Sequence, residues 1–550
     1  MTIKKTHDVT GFASLGELYV QRLAQYNGNL VLTNFGVTMN YAKLSETANA
    51  IAYYFQEGLK LKKNDRIGFM MPNVMQYPAL VIAAHLAGLV IVNINPLYTA
   101  TELKHQLNDS DTKAIVLLET GMQSLMDCLD ETPVKTVIVT KVGDMLPGAK
   151  GVIINFVLKH IKKMVPNYNL PGLLFLKNII KNNMGKKPKV VAVTRDDLAF
   201  LQYTGGTTGA AKGVMLTHGN ILSNLHQLMD AFTHNYPELD LISEKRVALG
   251  ALPIYHIYAL MMFLGALNCG QSMLLVTNPR DIPGLIKTLI KTPVNSMVLL
   301  NTLMIHMMNH KDFSKVDWDK CDLTFTGGMA TQKAVADRWQ ELTGIVVQQG
   351  YGLSETSPLV SMTNFKSTDK FENSIGKPAL NTSVKIIDID TFETVSPGKE
   401  GELCVKGPQV MKGYLNKQSA TDEVMLDDGW FRTGDIVTQH NDGSMTIVDR
   451  LKDMILVSGF NVYPNEVEDV LMKHDKISEC GVIGIDNEET GELVKAFIVP
   501  VDESLTETEI IEHCYKHLAH YKAPHAVEFV TEIPKTPVGK VLRRELRKAS

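Results

Sequence analysis

Residues 203–218 read YTGGTTGAAKGVMLTH, and this stretch sets the first expectation about the chain. Glycines let a backbone approach an anion closely, and threonine hydroxyls, a lysine amine and backbone N–H groups supply donors. The candidate anion-binding residues are Thr204, Gly205, Gly206, Thr207, Thr208, Gly209 and Lys212. The stretch is not a Walker A motif, because its lysine is not followed by Ser or Thr. It nevertheless predicts a phosphate-binding loop after a strand.

Helical and strand-like segments alternate upstream of this loop. Apolar residues recur at helical spacing in 41–58, strand-like residues follow at 65–71, and a helix is expected near 75–88. Such alternation predicts an α/β fold with largely parallel sheets. The apolar run 257–267 is too short to span a bilayer and predicts a buried helix.

The chain changes character towards its C-terminus. Residues from about 382 to 449 carry short strand-like pieces between glycine and proline turns, and residues 454–550 mix helices with short strands. We therefore expect a large N-terminal domain, 1–449, of layered α/β subdomains plus a β-rich subdomain. A small α+β domain at 454–550 would follow.

Composition excludes several classes of protein. Lys and Arg total 55 against 59 Asp and Glu, so the net charge is −4, and a general nucleic-acid binder needs a basic surface. The 6 cysteines are far apart, which indicates neither a zinc site nor a disulfide framework and suits a reducing compartment. The N-terminus has no apolar run typical of a signal peptide, so a cytoplasmic protein is expected.

The loop resembles the signature of the adenylate-forming superfamily, which includes acyl-CoA synthetases, luciferases and peptide-synthetase adenylation domains. Four further motifs follow in the order of that family. They are GYGLSET at 350–356, DGWFRTGD at 428–435, DRLKD at 449–453 and PKTPVGKVLRR at 534–544. The resemblance implies that a carboxylate attacks MgATP to give acyl-AMP, after which a thiol attacks the acyl group. It also implies a mobile C-terminal domain that is joined to the large domain by a hinge at 450–453.

The resemblance assigns a role to each motif position. The loop would hold the β- and γ-phosphates, Tyr351 would stack near adenine, Thr356 would contact the α-phosphate, and Asp435 with Arg450 would bind the ribose. Glu355 and Thr204 would hold Mg²⁺, and a carboxylate suits that hard cation. Lys540 would be the catalytic lysine, and Lys452 the hinge. The remaining expected positions are Gly328, Gly350 and Gly352 for nucleotide, His256 for catalysis, and Ser458, Gly459 and Phe460 for CoA.

The likeness is strongest to bacterial long-chain fatty-acid–CoA ligases, through stretches such as MMPNVMQYPAL, NPRDIPGL and GELCVKGPQVMKGY. The resemblance implies an acyl tunnel, and Met and Leu suit a flexible acyl chain. Its expected residues are Tyr255, Leu260, Met261, Asn301 and Met304. Residues 252–260, LPIYHIYAL, contain no acid to pair with an amino-acid ammonium group, which disfavours a peptide-synthetase module. A ligase for medium-chain or aryl acids and a catalytically silent nucleotide- or lipid-binding protein remain alternatives.

Residues 145–195 contain 10 Lys or Arg and no Asp or Glu. An amphipathic helix is expected here, with Val152, Ile153, Phe156, Val157, Ile161 and Met164 on one face and Asn155, Lys159, Lys162 and Lys163 on another. Basic amphipathic helices bind membrane surfaces, although a solvated surface helix has the same pattern. We expect peripheral association with the inner face of the cytoplasmic membrane, and analogy with relatives implies a possible homodimer.

Overall fold

The structure, a computed structural model, describes residues 8–204, 211–235, 245–328, 331–363, 370–458, 460–487, 489–502, 504–536 and 540–549. The helices in these ranges are α1 Leu15–Gln25, α2 Tyr41–Glu57, α3 Gln76–Leu86, α4 Ala100–Asp109, α5 Met122–Met126, α6 Gly148–Phe156, α7 Leu176–Asn183, α8 His218–Asn235, α9 Ile257–Asn268, α10 Ile282–Lys291, α11 Asn301–Met308, α12 Lys333–Thr343, α13 Gln418–Val424, α14 Pro464–Leu471, α15 Glu507–Tyr515 and α16 Arg543–Ala549.

A seven-stranded sheet occupies much of the first half of the chain. Its strands are β3 Arg66–Met70, β4 Val90–Ile94, β5 Thr112–Leu118, β6 Thr136–Thr140, β7 Leu174–Phe175, β8 Leu198–Thr204 and β9 Lys212–Thr217. The order is β7-β6-β5-β3-β4-β8-β9. All neighbours run parallel except β8 and β9, which form an antiparallel hairpin. The hairpin puts both sides of the predicted phosphate loop at one edge of the sheet.

A second, nine-stranded sheet has the order β16-β15-β14-β13-β12-β10-β11-β1-β2. Its strands are β1 Leu30–Asn34, β2 Val37–Asn40, β10 Val247–Gly250, β11 Ser272–Leu275, β12 Ser296–Leu299, β13 Leu323–Gly327, β14 Val347–Gly352, β15 Leu359–Met362 and β16 Lys377–Pro378. The inner strands are parallel, and antiparallel strands close both edges.

One large apolar core joins the two sheets. Helix α3 (QYPALVIAAHL) is buried from Gln76 to His85, as expected for a helix that is apolar on all sides. Helix α2 packs against it, and residues of both sheets and of α9 belong to the same apolar cluster. Helix α9 is itself buried, which confirms the interpretation of the apolar run 257–267. None of the described helices is both long and apolar enough to cross a bilayer.

Two smaller sheets follow. An antiparallel sheet contains β17 Ser383–Ile387, β18 Glu400–Lys406, β19 Phe431–Gln439 and β20 Met445–Arg450, in that order. The last sheet contains β21 Ile455–Val457, β22 Phe460–Val462, β23 Ile477–Asn487, β24 Gly491–Pro500 and β25 Ala526–Phe529. Helices α14 and α16 pack against β23. The α/β prediction, with a large N-terminal and a small C-terminal domain, is confirmed; the exact domain boundaries and the mobility stay predictions.

The strand β20 contacts α14 across the boundary between the two domains. The Asp449 carboxylate accepts hydrogen bonds from the backbone N–H groups of Arg450 (2.6 Å) and Asn465 (2.7 Å). Burial raises the pKa of Asp449 to about 6. This contact links the small domain to the last strand of the large one.

The basic segment departs from the expected single helix. Helix α6 ends at Phe156, and the chain continues as a π-helical turn, Val157–Ile161. Asn155 was expected to share a face with Lys159; Lys159 is exposed, whereas Asn155 is half-buried and its Oδ1 accepts a hydrogen bond from Gly143 N (2.8 Å). A π-turn rotates later residues relative to a 3.6-residue period, so a regular helical projection misplaces them.

The cysteines lie in the interior of the protein. All 6 side chains, Cys128, Cys269, Cys321, Cys404, Cys480 and Cys514, are buried thiols. Their spacing through separate elements agrees with the expectation that no disulfide framework holds the fold.

Candidate active site

The phosphate hairpin, residues 198–217, presents Thr204 and Lys212 side by side. Thr204 ends β8, Lys212 begins β9, and the two residues are paired in the hairpin register. The ammonium group of Lys212 lies 4.9 Å from the centroid of the Tyr414 ring. Five predicted residues of this loop, Gly205, Gly206, Thr207, Thr208 and Gly209, lie outside the described residues, so their roles stay predictions.

The Glu355 turn, residues 353–358, follows β14 and faces the hairpin. Gly352 ends this strand where a Cβ atom would lie only 1.8 Å from the Pro358 carbonyl oxygen, so the approach requires glycine. Tyr414 Oη donates a hydrogen bond of 2.8 Å to Glu355 Oε1. Thr356 is fully buried, and its hydroxyl donates to carbonyl groups inside the turn. Thr356 therefore shapes this turn, and its contact with the α-phosphate stays a prediction.

Three predicted nucleotide-binding side chains meet at a second point. Asp435 and Arg450 are paired in the register of β19 and β20, and Arg450 Nε lies 3.1 Å from Asp435 Oδ1. Tyr351 Oη donates a hydrogen bond of 2.6 Å to Asp435 Oδ2. Asp435 is only 4% exposed, so a buried carboxylate is held by one cation and one phenol. A carboxylate held in this way can also accept hydroxyl donors of a sugar.

Lys540 reaches this cluster from the small domain. It lines a cavity of about 390 Å³ together with Gly328, Tyr351, Asp435 and Arg450. Burial, and next the positive charge of Arg450, lower the pKa of Lys540 to about 7. Strongly perturbed pKa values in a cleft are typical of functional sites. The structure therefore brings together residues from motifs that are almost 200 residues apart in the sequence.

The loop with His256 is held from the opposite sheet. Asn73 Nδ2 donates to the carbonyl oxygens of Gly250 (2.9 Å) and Leu252 (2.8 Å), and its Oδ1 accepts from Ile254 N (2.8 Å). Burial, and next the charge of Lys540, lower the pKa of His256 to about 4. His256 is thus neutral near pH 7 and supplies no positive charge, and its catalytic role stays a prediction.

The predicted tunnel residues lie on neighbouring buried elements. Leu260 and Met261 are in α9, and Asn301 and Met304 are in α11; all four are at most 3% exposed. Tyr255 precedes α9, and its hydroxyl donates to Asn95 Oδ1 at 3.2 Å. Of these residues, Asn301 also lines the cavity that contains Lys540. The tunnel itself stays a prediction.

The predicted hinge and CoA residues lie beside the cleft. Lys452 is in a short 3₁₀ turn, Leu451–Asp453, directly after β20. Ser458 and Phe460 flank Gly459, which is outside the described residues. The Phe460 ring is 58% exposed and packs 5.1 Å from the Tyr521 ring. Within the described part of the chain, neither Ser458 nor Phe460 is among the residues that line the cavity.

The residues present fit a magnesium ion that arrives with ATP. No group of three or more His, Cys, Asp or Glu side chains suited to a metal occurs in the described ranges. Mg²⁺ commonly takes only one or two carboxylates and completes its shell with phosphates and water. Glu355 satisfies this need, since among the described residues only its Oε1 accepts a side-chain hydrogen bond.

Sequence reasoning missed two residues that organise the site, Tyr414 and Asn73. Both stand in stretches quoted for their resemblance to relatives, MMPNVMQYPAL and GELCVKGPQVMKGY, but no local pattern signals their contacts. The partners are distant: Tyr414 is 59 residues from Glu355, and Asn73 is 177 residues from Gly250.

Comparisons with known proteins agree with this geometry. The model of the AMP-binding enzyme family matches residues 20–415, and that of the AMP-binding enzyme C-terminal domain matches residues 466–540. A long-chain-fatty-acid–CoA ligase of Salmonella typhimurium is 48% identical over 540 residues, covering 98% of this chain and 94% of that protein. The ligase of the same name from Haemophilus influenzae is 44% identical, covering 99% of this chain and 96% of that protein. A solved anthranilate CoA ligase in complex with anthranoyl-AMP has the same fold, with a TM-score of 0.83 at 21% identity, covering 98% of this chain and 97% of that chain.

Proposed function

The chain belongs to the AMP-binding enzyme family, and from this premise we propose that it is a long-chain fatty acid–CoA ligase. It activates a fatty acid with ATP to give acyl-AMP and pyrophosphate, and it then transfers the acyl group to CoA with release of AMP. The observation that carries this function is the meeting of Tyr351, Asp435, Arg450 and Lys540 in one cleft. Bacterial long-chain ligases that align with nearly the whole chain support the substrate class.

The first half-reaction is an attack of the fatty-acid carboxylate on the α-phosphate of ATP. The nucleophile is already an anion, so this step needs positive charge and positioning rather than a general base. We propose that Asp435 accepts the ribose hydroxyls, that Tyr351 stacks near adenine, and that Lys540 bridges the carboxylate and the α-phosphate. Preorganised charge of this kind is often the largest contribution to catalysis.

We propose that the phosphate hairpin binds the β- and γ-phosphates of ATP. Lys212 and Thr204 lie next to each other at its end. Gly205, Gly206, Thr207, Thr208 and Gly209 are the other residues that we propose for the phosphates. Magnesium bound with ATP would neutralise part of the phosphate charge, and Glu355 and Thr204 are the residues that would hold it.

The second half-reaction transfers the acyl group to the CoA thiol. We propose that the small domain rotates about Lys452 between the two steps, which would carry Lys540 away and bring Ser458, Gly459 and Phe460 to the pantetheine path. The exposed Phe460 and the position of Lys452 between β20 and β21 support this proposal.

The direct test is AMP formation from ATP with acids from acetate to oleate, and with coumarate, each with and without CoA. CoA-dependent turnover that rises with chain length is the expected result. Turnover restricted to medium-chain or aryl acids would show that the proposed substrate class is wrong, while the proposed two-step mechanism would stand. Absence of AMP with every acid would favour a silent nucleotide- or lipid-binding protein.

We also propose that the surface around α6 docks on a membrane that supplies the fatty acid. Five apolar side chains of this segment are more than half exposed: Val152 (67%), Ile153 (58%), Phe156 (55%), Ile161 (63%) and Met164 (56%). The exposed Lys159, Lys162 and Lys163 accompany them. Contiguous exposed apolar residues in a monomer commonly mark an interaction site, and the lysines favour anionic lipids.

Co-sedimentation with vesicles that contain anionic phospholipid tests this docking surface. Phe156→Ser combined with reversal of Lys159, Lys162 and Lys163 to Glu should abolish binding, whereas activity on detergent-dispersed fatty acid should remain. Reversal of the exposed Lys181 and Lys186 on the same basic segment is the matched control. Unchanged sedimentation of the quadruple variant would remove α6 from the proposal. Light scattering of the same preparation would test the homodimer expected from relatives.

A further inference from the structure

A short strap, residues 411–415, links the two structures that we assign to the ATP phosphates. Its backbone hydrogen bonds run from Met411 N to Glu355 O (2.8 Å), from Lys412 N to Met215 O (3.0 Å), from Met215 N to Gly413 O (3.0 Å) and from Leu415 N to Gly213 O (2.8 Å). The first bond reaches the Glu355 turn, and the other three reach strand β9 of the phosphate hairpin. The strap therefore fixes the separation of the hairpin and the turn.

Tyr414, the fourth residue of the strap, contacts both structures through its side chain. Its hydroxyl donates to Glu355 Oε1 (2.8 Å), and the face of its ring lies 4.9 Å from Lys212 Nζ. The side chain is only 7% exposed, and Tyr414 N donates to Thr421 Oγ1 (2.9 Å), so both the ring and the backbone are fixed. One residue thus touches the expected metal-holding carboxylate and the expected phosphate-binding amine.

We propose that Tyr414 is a positioning residue for acyl-AMP formation, which orients Glu355 through its hydroxyl and Lys212 through its ring. The proposal rests on the functions proposed above for Glu355 and Lys212. It adds one residue to that site and assigns separate roles to the hydroxyl and the ring of its side chain.

The chemistry of each contact leaves the partner able to bind its ligand. The hydroxyl occupies Glu355 Oε1 only, and no side-chain hydrogen bond from the described residues reaches Oε2. A hydrogen bond to a carboxylate also restricts its rotation, which otherwise costs entropy when a cation is bound. A cation–π contact holds the Lys212 ammonium without using its N–H donors, and no ion pair of Lys212 occurs in the described ranges.

A core residue with no role in the site would pack equally well as phenylalanine. Tyr414→Phe keeps the ring beneath Lys212 and removes only the bond to Glu355, while Tyr414→Ala removes both contacts. Tyr168→Phe is the matched control, because Tyr168 Oη donates to Glu119 Oε2 (3.2 Å) in another part of the molecule.

Binding of Mn²⁺ to the full-length protein with α,β-methylene-ATP, followed by electron paramagnetic resonance, gives a readout that is independent of turnover. We expect Tyr414→Phe to raise the Kd for Mn²⁺ by about tenfold, the order expected for a lost hydrogen bond to a charged group. Its affinity for the metal-free nucleotide should be unchanged. Tyr414→Ala should weaken both, and Tyr168→Phe should weaken neither.

The half-reactions provide a second readout. In Tyr414→Phe, acyl-AMP formation should require more Mg²⁺ for half-maximal rate, while thioester formation from supplied acyl-AMP should be unchanged. Normal Mn²⁺ affinity in Tyr414→Phe with reduced affinity in Glu355→Gln would overturn the role of the tyrosine alone. Normal affinity in Glu355→Gln as well would overturn both this inference and the proposed metal-holding role of Glu355.

Discussion

The surroundings of Lys540 change the pKa of its ammonium group. Its ammonium group is repelled by two other cations, Arg450 and Lys452, and attracted by the carboxylates of Asp435 and Asp453. Loss of water and the neighbouring Arg450 outweigh the attraction of the carboxylates, so the pKa of Lys540 falls to about 7. Near pH 7, Lys540 is therefore only partly protonated in the free protein. Binding of the two anions that it is proposed to bridge would favour its charged form.

This marginal charge predicts a pH dependence of acyl-AMP formation. Because the pKa of Lys540 is lowered to about 7, the residue is charged below pH 7 and loses its proton above it. The kcat/KM for ATP, measured by pyrophosphate exchange without CoA, should fall by about tenfold per pH unit above that pKa, since kcat/KM reports groups of the unliganded enzyme. Lys540→Arg stays protonated at every pH tested and should abolish the fall. The same fall in Lys540→Arg would assign it to another group.

The roles of single residues could be predicted where the residue belongs to a recognisable motif. They could not be predicted where the role depends on a tertiary contact. Resemblance identified Asp435, Arg450 and Lys540, and the structure brings them to one cavity. It did not identify Tyr414, because a phenol that reaches a carboxylate 59 residues away leaves no trace in local spacing. It also did not identify the bonds of the Thr356 hydroxyl within its own turn, and the contact of Thr356 with the α-phosphate stays a prediction.

Secondary-structure elements followed the sequence closely where capping and periodicity agree. The helix expected at 41–58 is α2, Tyr41–Glu57. Helix α4 begins after a capping box between Thr99 and Glu102, which marks its first residue clearly. The segment around α6 deviated, because a π-turn breaks the regular period that the projection assumed.

The loop between β3 and α3 carries a prediction at this scale. Asn73 makes three hydrogen bonds to the segment that leads into α9, and it is 2% exposed. Asn73→Ala would leave the Leu252 carbonyl and the Ile254 N–H without a partner, each at a cost of about 1–3 kcal/mol, whereas the Gly250 carbonyl keeps its bond from Val276 N. We expect a lower melting temperature and a raised KM for fatty acid. Asn49→Ala, which removes a bond within α2 (Asn49 Nδ2 to Ser45 O, 2.8 Å), is the control. Equal effects of both variants would show that Asn73 has no special link to the acyl site.

At the scale of the whole molecule, the two domains line one cavity. The large domain supplies Asp435 and Tyr351, and the small domain supplies Lys540, while Asp449 bonded to Asn465 fastens the domains together. The sequence predicted both domains but not the order of strands between the two large sheets. Strand β1 pairs with β11, more than 240 residues later, and local patterns carry no information about such pairing.

The two-domain site predicts that one substitution separates the half-reactions. Lys540→Ala should reduce acyl-AMP formation by about 100- to 1,000-fold, the scale of losing one preorganised charge or donor. Thioester formation from supplied acyl-AMP should survive, because the proposed rotation removes Lys540 from the site before that step. Rapid-quench measurement of each half-reaction checks this. An equal loss in both would argue against the rotation of the small domain.

The burial of every cysteine has a consequence for an enzyme whose second substrate is a thiol. Burial raises the pKa of Cys321 to about 11 and the pKa of Cys269 to about 12, so thiolate is scarce at these positions. Mixed disulfides form by attack of a thiolate on an accessible disulfide, and buried neutral thiols take little part in that exchange. The protein can therefore work in a pool that contains oxidised CoA without becoming covalently tethered to its own substrate.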